Sequence, residues 1–154
     1  MKKYNRIVLT GASGRLGSYL REPLSKITKK LVSTDKEDIG KTLHNEVFKK
    51  LNIKNFKEVN KILKKTDLII HFGGYSNEGP FQEILDSNIL GTYNIWKSAK
   101  KNKIKRIIFA SSIHSVGMYR ANETINHKVM HKPCLLYTSP SPRDLSTSRM
   151  PSSA

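Results

Sequence analysis

The sequence contains a single cysteine and lacks any long apolar run. One cysteine cannot form a disulfide within the chain, so nothing in the sequence requires an oxidising compartment. The longest purely apolar runs, such as Leu68-Ile69-Ile70, are far shorter than the ~20 residues of a membrane-spanning helix. The apolar stretch behind the basic N-terminus, Ile7-Val8-Leu9, is also too short for the ~7–15-residue core of a secretory signal. These absences predict a cytoplasmic protein without a membrane partner.

Acidic residues are scarce, because 12 Asp and Glu stand against 28 Lys and Arg and leave a net charge of +16. The lysines are spread along the chain as pairs, such as Lys49-Lys50, Lys64-Lys65 and Lys100-Lys101, without interleaved aromatic residues. A nucleic-acid footprint would combine clustered charge with a recognition motif, so we predict a solvated surface and no specific nucleic-acid partner. The alternative, a basic nucleic-acid binder, would bind DNA with a steep salt dependence. No group of Cys, His, Asp and Glu has the spacing of metal ligands, so no metal site is predicted.

Apolar residues make up 37% of the 154 residues, which is enough for one hydrophobic core. Short apolar runs predict five strands, at residues 7–10, 31–35, 47–48, 67–74 (where the run enters a glycine turn) and 106–110. Helical patterns begin near Leu16, after Asn55 and at Pro80. One apolar stripe is predicted to be buried on the last of these helices: Phe81, Ile84, Leu85, Ile89, Trp96 and Ala99. Strands that alternate with helices indicate an α/β fold with a doubly wound parallel sheet.

The strongest motif is a glycine-rich loop between the first strand and the first helix. Gly11 permits a tight turn, Gly14 lets the backbone approach a pyrophosphate, and Gly17 lets the helix pack closely on the strand. The N–H groups at the start of the helix attract phosphates. Asp35 stands at the end of the second strand, 24 residues after Gly11, where a carboxylate accepts both ribose hydroxyls of NAD. Asp35 would repel the additional phosphate of NADP, so NAD is the predicted cofactor, although Lys36 leaves room for NADP.

Three further polar residues are candidates for the chemistry. Asn88 lies on the apolar side of the last helix and is either a functional amide or a core amide that bonds a loop carbonyl. Ser112 follows the fifth strand, at the edge where open parallel sheets bind ligands, and its hydroxyl can bond a substrate oxygen. From position alone it is equally a polar strand end. His114 is either a substrate ligand or a surface histidine.

The composition changes near Pro133, after which eight Ser or Thr residues occur between Cys134 and Ala154. Residues 134–144 (CLLYTSPSPRD) resemble one reading frame of a transposase-type sequencing adapter, and residues 148–154 (SRMPSSA) resemble the far end of that adapter. We therefore expect residues 1–133 to be an incomplete dinucleotide-binding domain and residues 134–154 to be a non-native, disordered tail. The native protein is expected to continue past Pro133 with other residues.

The motifs between residues 6 and 120 resemble the extended short-chain dehydrogenase/reductase family, also called NAD-dependent epimerase/dehydratases. The resemblance rests on five segments in order: Gly11-x-x-Gly14-x-x-Gly17, Asp35, His71-Phe72-Gly73-Gly74, residues 88–92 (NILGT) and residues 109–112 (FASS). Within the family, residues 10–14, 71–81 and 110–114 are most similar to uronate dehydrogenases, which oxidise a hexuronate at C1 to a lactone with NAD. The resemblance implies a Rossmann-type sheet of strand order 3-2-1-4-5, truncated before the later strands and the substrate lobe.

The resemblance also implies roles for individual residues. Arg15 and Leu16 would contact the pyrophosphate through their backbone, and Asn52-Ile53 would lie beside the adenine, where the family usually has Asp and an aliphatic residue. Gly73 and Gly74 would line the cofactor. Asn88 would order the active-site water or the catalytic lysine, and Ser112 would bond the reacting hydroxyl. The residues that would contact the sugar acid are Ser76, Asn77, Ser112 and His114.

One element of the family pattern is missing, the tyrosine and lysine spaced four apart that transfer the proton. Tyr137 is close to the family spacing from Ser112, but Ser141 occupies the lysine position and both lie in the adapter-like segment, so we interpret Tyr137 as a coincidence.

The predicted function of the full-length parent is NAD-dependent oxidation of a hexuronate or related sugar. The alternatives are a nucleotide-sugar epimerase or dehydratase, and, for the chain as it stands, a non-catalytic dinucleotide-binding fragment. A sugar acid or sugar nucleotide is the expected partner, and a homo-oligomer of the parent is left open.

Overall fold

The structure is a computed structural model that describes residues 3–111 of the chain. Five strands are present: β1 (Tyr4–Thr10), β2 (Thr28–Asp35), β3 (Glu46–Lys50), β4 (Leu68–His71) and β5 (Ile107–Phe109). Four α-helical segments and one π-helical segment connect them: α1 (Arg15–Ile27), α2 (Phe56–Ile62), α3 (Phe81–Ile84), the π-helical segment Leu85–Gly91 and α4 (Thr92–Lys101). All five predicted strands are present, each with bounds shifted by a few residues.

The five strands form one parallel sheet in the order β3-β2-β1-β4-β5. The predicted doubly wound α/β fold and its strand order are therefore confirmed. The chain moves outward from β1 to β3 and then returns to the other side of β1 to form β4. The direction of winding reverses between β1 and β4, and ligands of open parallel sheets bind at such a reversal, outside the carboxyl ends of the strands.

Apolar residues from alternate positions of the strands fill two cores, one on each face of the sheet. In β1, Val8 belongs to one core and Ile7 and Leu9 to the other, and all three are fully buried. Members of the first core include Val59 of α2 and Ile95 of α4, whereas the second includes Leu24 of α1. Because successive side chains of a strand point to opposite faces, a sheet covered by helices on both sides needs runs that are apolar throughout.

A buried ion pair ties α1 to the edge of the sheet. The Arg21 guanidinium donates to both carboxylate oxygens of Glu46, at 2.8 and 2.9 Å, and the Glu46 side chain is fully buried. Burial raises the pKa of Glu46, but hydrogen bonds from Arg21, the Ser33 hydroxyl and the Leu43 N–H outweigh it, so the net pKa is lowered. Arg21 also donates to two carbonyls of the loop that joins β2 to β3. One arginine thus connects a helix, an edge strand and a loop.

The predicted buried stripe of the last helix is partly wrong. Phe81, Ile89 and Trp96 are 76%, 63% and 41% exposed, whereas Ala99 is buried as expected. The buried face of α4 consists instead of Asn94, Ile95, Ser98 and Ala99. For Trp96 the reason is the π-helical segment before α4, because each π turn takes up more residues than an α turn and rotates the following face away from a 3.6-residue pattern. A single continuous α-helix, which the prediction assumes, has no such offset. Phe81 lies in α3, before that segment, and its exposure has no such explanation.

Contacts between residues divide the chain into two units. The first contains residues up to Tyr75 and residues Gly79–Ala110, including the whole sheet and all the helices named above. Ser76–Glu78 and Ser111 belong to the second unit, most of which lies outside the described residues. Within residues 3–111, no helix combines the length and the apolar character needed to cross a membrane. The predicted domain boundary at Pro133 lies outside the described residues and stays a prediction.

Candidate dinucleotide-binding site

The glycine-rich loop leads from β1 directly into α1 at the carboxyl edge of the sheet. Gly11 has φ +74°, a conformation that L side chains rarely adopt, and its N-terminal neighbour Thr10 ends β1. Gly14 precedes the first residue of α1, and its N–H donates to the Gly11 carbonyl at 3.2 Å. The first helical N–H groups, those of Arg15, Leu16 and Gly17, have no intrahelical acceptor because no earlier turn exists. This end of α1 therefore offers backbone donors and the positive end of the helix dipole.

Asp35, at the end of β2, lies against this loop. Its Oδ2 accepts a hydrogen bond from the Ser13 N–H at 2.9 Å, and its Oδ1 accepts from the Lys36 N–H at 2.7 Å. The Ala12 N–H also donates to the Thr34 carbonyl, so two bonds join the glycine loop to the end of β2. The carboxylate is held in place by backbone donors and keeps lone pairs for further donors.

The loop after β3, which contains Asn52 and Ile53, is adjacent to Asp35. The Leu51 N–H donates to the Asp35 carbonyl at 2.8 Å, and the Asn52 side chain accepts from the Lys54 N–H. Asn94 of α4, which the sequence did not indicate, donates from Nδ2 to the carbonyls of Ile53 and Lys54 at 3.1 and 2.9 Å. Asn94 is buried. It therefore connects α4 to the loop by two bonds that an apolar side chain cannot make.

The loop after β4 packs backbone against backbone on the glycine loop. A Cβ on Gly11 would lie 2.6 Å from the carbonyl carbon of Phe72 and 2.7 Å from the nitrogen of Gly73. The Gly73 N–H donates to the Thr10 hydroxyl at 3.1 Å. A Cβ on Gly74 would lie 2.9 Å from the Asn88 side-chain oxygen. The two glycine-containing loops, separated by about 60 residues in the sequence, thus form one surface at the β1–β4 reversal.

His71, the last residue of β4, is fully buried beneath this surface. Its Nδ1 lies 2.7 Å from the Thr10 hydroxyl and its Nε2 lies 3.3 Å from the Thr92 hydroxyl. The ring stacks on Phe109, with centroids 5.6 Å apart, and lies near Trp96. Burial lowers the pKa of His71 to about 4, so the ring is neutral at physiological pH. A histidine in an otherwise apolar strand is the signal in the sequence that could have indicated this arrangement.

Asn88 lies in the π-helical segment, and its amide is already bonded. Its Oδ1 accepts from the Tyr75 N–H at 2.7 Å, and its Nδ2 donates to the Tyr75 carbonyl at 2.9 Å. Of the two interpretations of the sequence, a functional amide and an amide that bonds a loop carbonyl, this geometry corresponds to the second. π-helical turns occur frequently at functional sites, and here the turn presents a side chain to the loop that follows Gly74.

The remaining residues of the predicted site are not brought together by the described structure. Ser76 and Asn77 belong to the second unit, whereas the glycine loop and Asp35 belong to the first. Ser112, His114, Tyr137 and Ser141 lie outside the described residues. The described residues therefore contain the cofactor half of the predicted site.

Two other features bear on the class of site. Among residues 3–111, no three His, Cys, Asp or Glu side chains are grouped in a way that could hold a metal ion. A groove of about 350 Å³ lies along α2, β2 and β3, and it is lined by Arg6, Lys30, Val32, Val47, Lys49, Lys50, Glu58, Lys61 and Ile62. None of the residues of the two glycine-containing loops lines that groove. The candidate site is defined by those loops and by Asp35.

Known proteins resemble this chain in sequence and in fold. Residues 7–139 match the model of the NAD dependent epimerase/dehydratase family, so the chain belongs to that family, as the motifs predicted. The chain is 39% identical over 136 residues to the uronate dehydrogenase of Pseudomonas syringae pv. tomato, covering 87% of this chain and 49% of that protein. It is also 39% identical over 136 residues to the uronate dehydrogenase of Pseudomonas putida, covering 87% and 50%.

A solved structure agrees with these sequence matches. The chain resembles a mutant uronate dehydrogenase from Agrobacterium tumefaciens complexed with NAD, with a TM-score of 0.79, 35% identity, and coverage of 84% of this chain and 49% of that one. The fold and the likeness to uronate dehydrogenases thus agree with the prediction. The chain spans about half the length of the relatives it matches.

Proposed function

We propose that this chain supplies the NAD-binding half of an oxidoreductase that oxidises a hexuronate or a related sugar at C1 to a lactone. The observation that carries the NAD part is the position of Asp35 against the glycine loop that leads into α1, at the β1–β4 reversal. Phosphates bind where backbone N–H groups and a helix dipole converge, and a nearby carboxylate accepts ribose hydroxyls. The family membership and the NAD complex of a relative support the same assignment.

The residues present fit a dinucleotide. A Cβ on Gly14 would meet only the Gly11 carbonyl oxygen, at 3.2 Å, so the outer side of Gly14 is open for a phosphate to approach. Gly11, Gly14, Arg15, Leu16 and Gly17 would hold the pyrophosphate. Asp35 would hold the ribose, and Asn52 and Ile53 would contact the adenine. Gly73 and Gly74 would line the rest of the cofactor. NAD, when bound, supplies the acceptor for the hydride that leaves the sugar carbon.

The sugar side of the proposal rests on similarity to the uronate dehydrogenases. Ser112 would donate a hydrogen bond to the reacting oxygen, and Ser76, Asn77 and His114 would contact the sugar acid. Asn88 would act by holding the Tyr75 backbone beside Gly74, since it makes two hydrogen bonds to that backbone.

The competing enzyme class is a nucleotide-sugar epimerase or dehydratase, which uses the same cofactor without net consumption of NAD. Assays of the full-length protein with free galacturonate, free glucuronate and a nucleotide sugar distinguish the two enzyme classes. Accumulation of NADH with a free uronate supports the dehydrogenase. Conversion of the nucleotide sugar, with no NADH from either acid, rejects it. If the 154-residue chain binds NAD but turns over none of these compounds, it is a non-catalytic fragment.

Replacing Asp35 with Ala is expected to weaken NAD binding at least tenfold, about 1.4 kcal/mol, because two charge-assisted hydrogen bonds to the ribose are lost. The preference for NAD over NADP should narrow in the same variant, since the carboxylate no longer repels the additional phosphate. Calorimetric titration of both dinucleotides measures the change. Glu37→Gln is the matched control, because it removes an exposed carboxylate two residues away that has no role in the proposed site. Equal affinities of wild type and Asp35→Ala would reject the assignment.

Replacing Asn94 with Leu is expected to lower NAD affinity several-fold, since the carbonyls of Ile53 and Lys54 lose both of their bonds to α4. The side chain is similar in volume, so the loss is one of hydrogen bonding, and a typical hydrogen bond contributes about 0.5–1.5 kcal/mol. Titration with ADP-ribose and with nicotinamide mononucleotide locates the effect. Only the adenine-containing ligand should bind more weakly. An equal loss for both ligands would contradict a role confined to the adenine loop.

A further inference from the structure

The buried hydrogen bonds of His71 connect three elements beneath the proposed dinucleotide site. Thr10 ends β1, His71 ends β4 and Thr92 begins α4. The Gly73 N–H donates to the Thr10 hydroxyl at 3.1 Å, that hydroxyl lies 2.7 Å from His71 Nδ1, and His71 Nε2 lies 3.3 Å from the Thr92 hydroxyl. Thr10 and His71 are 1% and 0% exposed, so water does not compete for the bond between them. We call Thr10, His71 and Thr92 the histidine network.

One arrangement of hydrogens gives a partner to the Thr10 hydroxyl and to both ring nitrogens of His71. The Thr10 oxygen accepts from Gly73, so its own hydrogen needs an acceptor, and only a His71 Nδ1 without hydrogen provides one. The ring hydrogen is then on Nε2 and is donated to Thr92. The opposite tautomer would point the Nδ1 hydrogen at Thr10 and leave the Thr10 hydroxyl hydrogen unpaired in a buried place, which is costly.

We propose that Thr10, His71 and Thr92 are positioning residues that hold the Phe72–Gly74 backbone against the glycine loop in the geometry that receives the dinucleotide. Nothing else among the described contacts of the Gly73 N–H replaces the Thr10 hydroxyl. The close approach of Gly11 to the Phe72–Gly73 peptide means that a small displacement of either loop disturbs both. This inference rests on the proposed function for its ligand, but the network itself is observable without any ligand.

Protonation of His71 would turn both ring nitrogens into donors, so Nδ1 could no longer accept the hydrogen bond from the Thr10 hydroxyl. The partners of the ring, Thr10 from β1, Thr92 and Trp96 from α4, and Phe109 from β5, carry no charge that could compensate an imidazolium. Burial lowers the pKa of His71 to about 4, below its ordinary value of 6.5. The stabilising contribution of the neutral ring is therefore complete above pH 6.5 and is lost as the pH falls towards 4.

The first test needs no cofactor. Side-chain nitrogen NMR of His71 is expected to show the tautomer with hydrogen on Nε2, and Thr10→Val is expected to accelerate hydrogen exchange of the Gly73 amide about tenfold. Thr10→Ser keeps a hydroxyl and is the matched control, which should exchange like the wild type. A hydrogen on Nδ1, or unchanged exchange in Thr10→Val, overturns the network whatever the chain binds.

The second test measures NAD affinity against pH. The wild-type Kd is expected to rise about twofold between about pH 7 and pH 4, where about half of the His71 rings are protonated, relative to His71→Gln, which has no titrating ring at this position. Thr92→Val should weaken binding at neutral pH several-fold, and Thr92→Ser should restore it. Parallel pH profiles of wild type and His71→Gln would overturn the positioning role. If the wild type binds no NAD at any pH, the proposed function fails, and the NMR and exchange results still decide the network separately.

Discussion

The Gly17→Ala variant is expected to lose at least about 3 kcal/mol of folding stability, because the added methyl group overlaps a backbone atom that cannot move freely. A Cβ on Gly17 would collide with the Gly11 carbonyl oxygen and lie 2.8 Å from its carbon and 2.9 Å from the Ala12 Cα. Helix α1 would have to shift away from β1 to relieve the collision. Thermal unfolding followed by circular dichroism measures the change, and a fall in Tm of about 6–12 °C is expected for a chain of this length.

Gly14→Ala is the matched control for that experiment. Its Cβ would meet a single atom, the Gly11 oxygen, at 3.2 Å, and its φ of −67° suits any residue. The fold should therefore tolerate Gly14→Ala with little change in Tm, whereas NAD affinity should fall because the methyl group occupies the side that a phosphate approaches. A Gly17→Ala chain that melts like the wild type would show that α1 does not pack on β1 as closely as described.

Removing the guanidinium of Arg21 is expected to lower the free energy of unfolding by about 3–5 kcal/mol, because Glu46 would remain as a buried carboxylate without its charged partner. In Arg21→Met, the buried Glu46 carboxylate loses both hydrogen bonds from the guanidinium and keeps only those from Ser33 and Leu43. Urea unfolding measures the loss. The double variant Arg21→Met with Glu46→Gln should recover part of it, because a neutral amide is less costly to bury than a charge.

The exposed ion pair between Lys26 and Glu22 on the same helix provides the control for Arg21. Both side chains are about 70% exposed, so Lys26→Met should change stability by less than about 1 kcal/mol. Losses of similar size in Lys26→Met and Arg21→Met would contradict the special contribution of the buried pair. A double variant no more stable than Arg21→Met alone would show that the charge of Glu46 is not the source of the loss.

The sequence indicated the sheet and the cofactor half of the site because both depend on local patterns. A run such as Ile7-Val8-Leu9 is apolar at every position only where both faces of a strand are covered, and Gly11, Gly14 and Gly17 meet a backbone requirement that few other patterns satisfy. The bond from Ser13 to Asp35 follows from the parallel alignment of β1 and β2, whose carboxyl ends meet at one edge.

Other features depend on contacts that no local pattern contains. The bonds from Asn94 to the loop after β3 join residues about 40 positions apart, and those of His71 depend on the packing of β1, β4 and α4. The periodicity of residues 80–101 contains no sign of the π-helical segment, so the exposed position of Trp96 beyond it could not be predicted from that periodicity. In the sequence, a polar amide inside an apolar face looks the same whether it contacts a ligand or a loop.

The π-helical segment Leu85–Gly91 also sets the angular relation between two asparagines. Asn88, within it, bonds the Tyr75 backbone after β4, and Asn94, beyond it, bonds the loop after β3. Each residue added to or removed from a helix rotates everything that follows by about 100°. Loss of a single residue here would leave one of the two amides facing the wrong loop. The irregular turn therefore acts as a spacer that lets one helical stretch bond two separate loops, and the length of this stretch is as constrained as its composition.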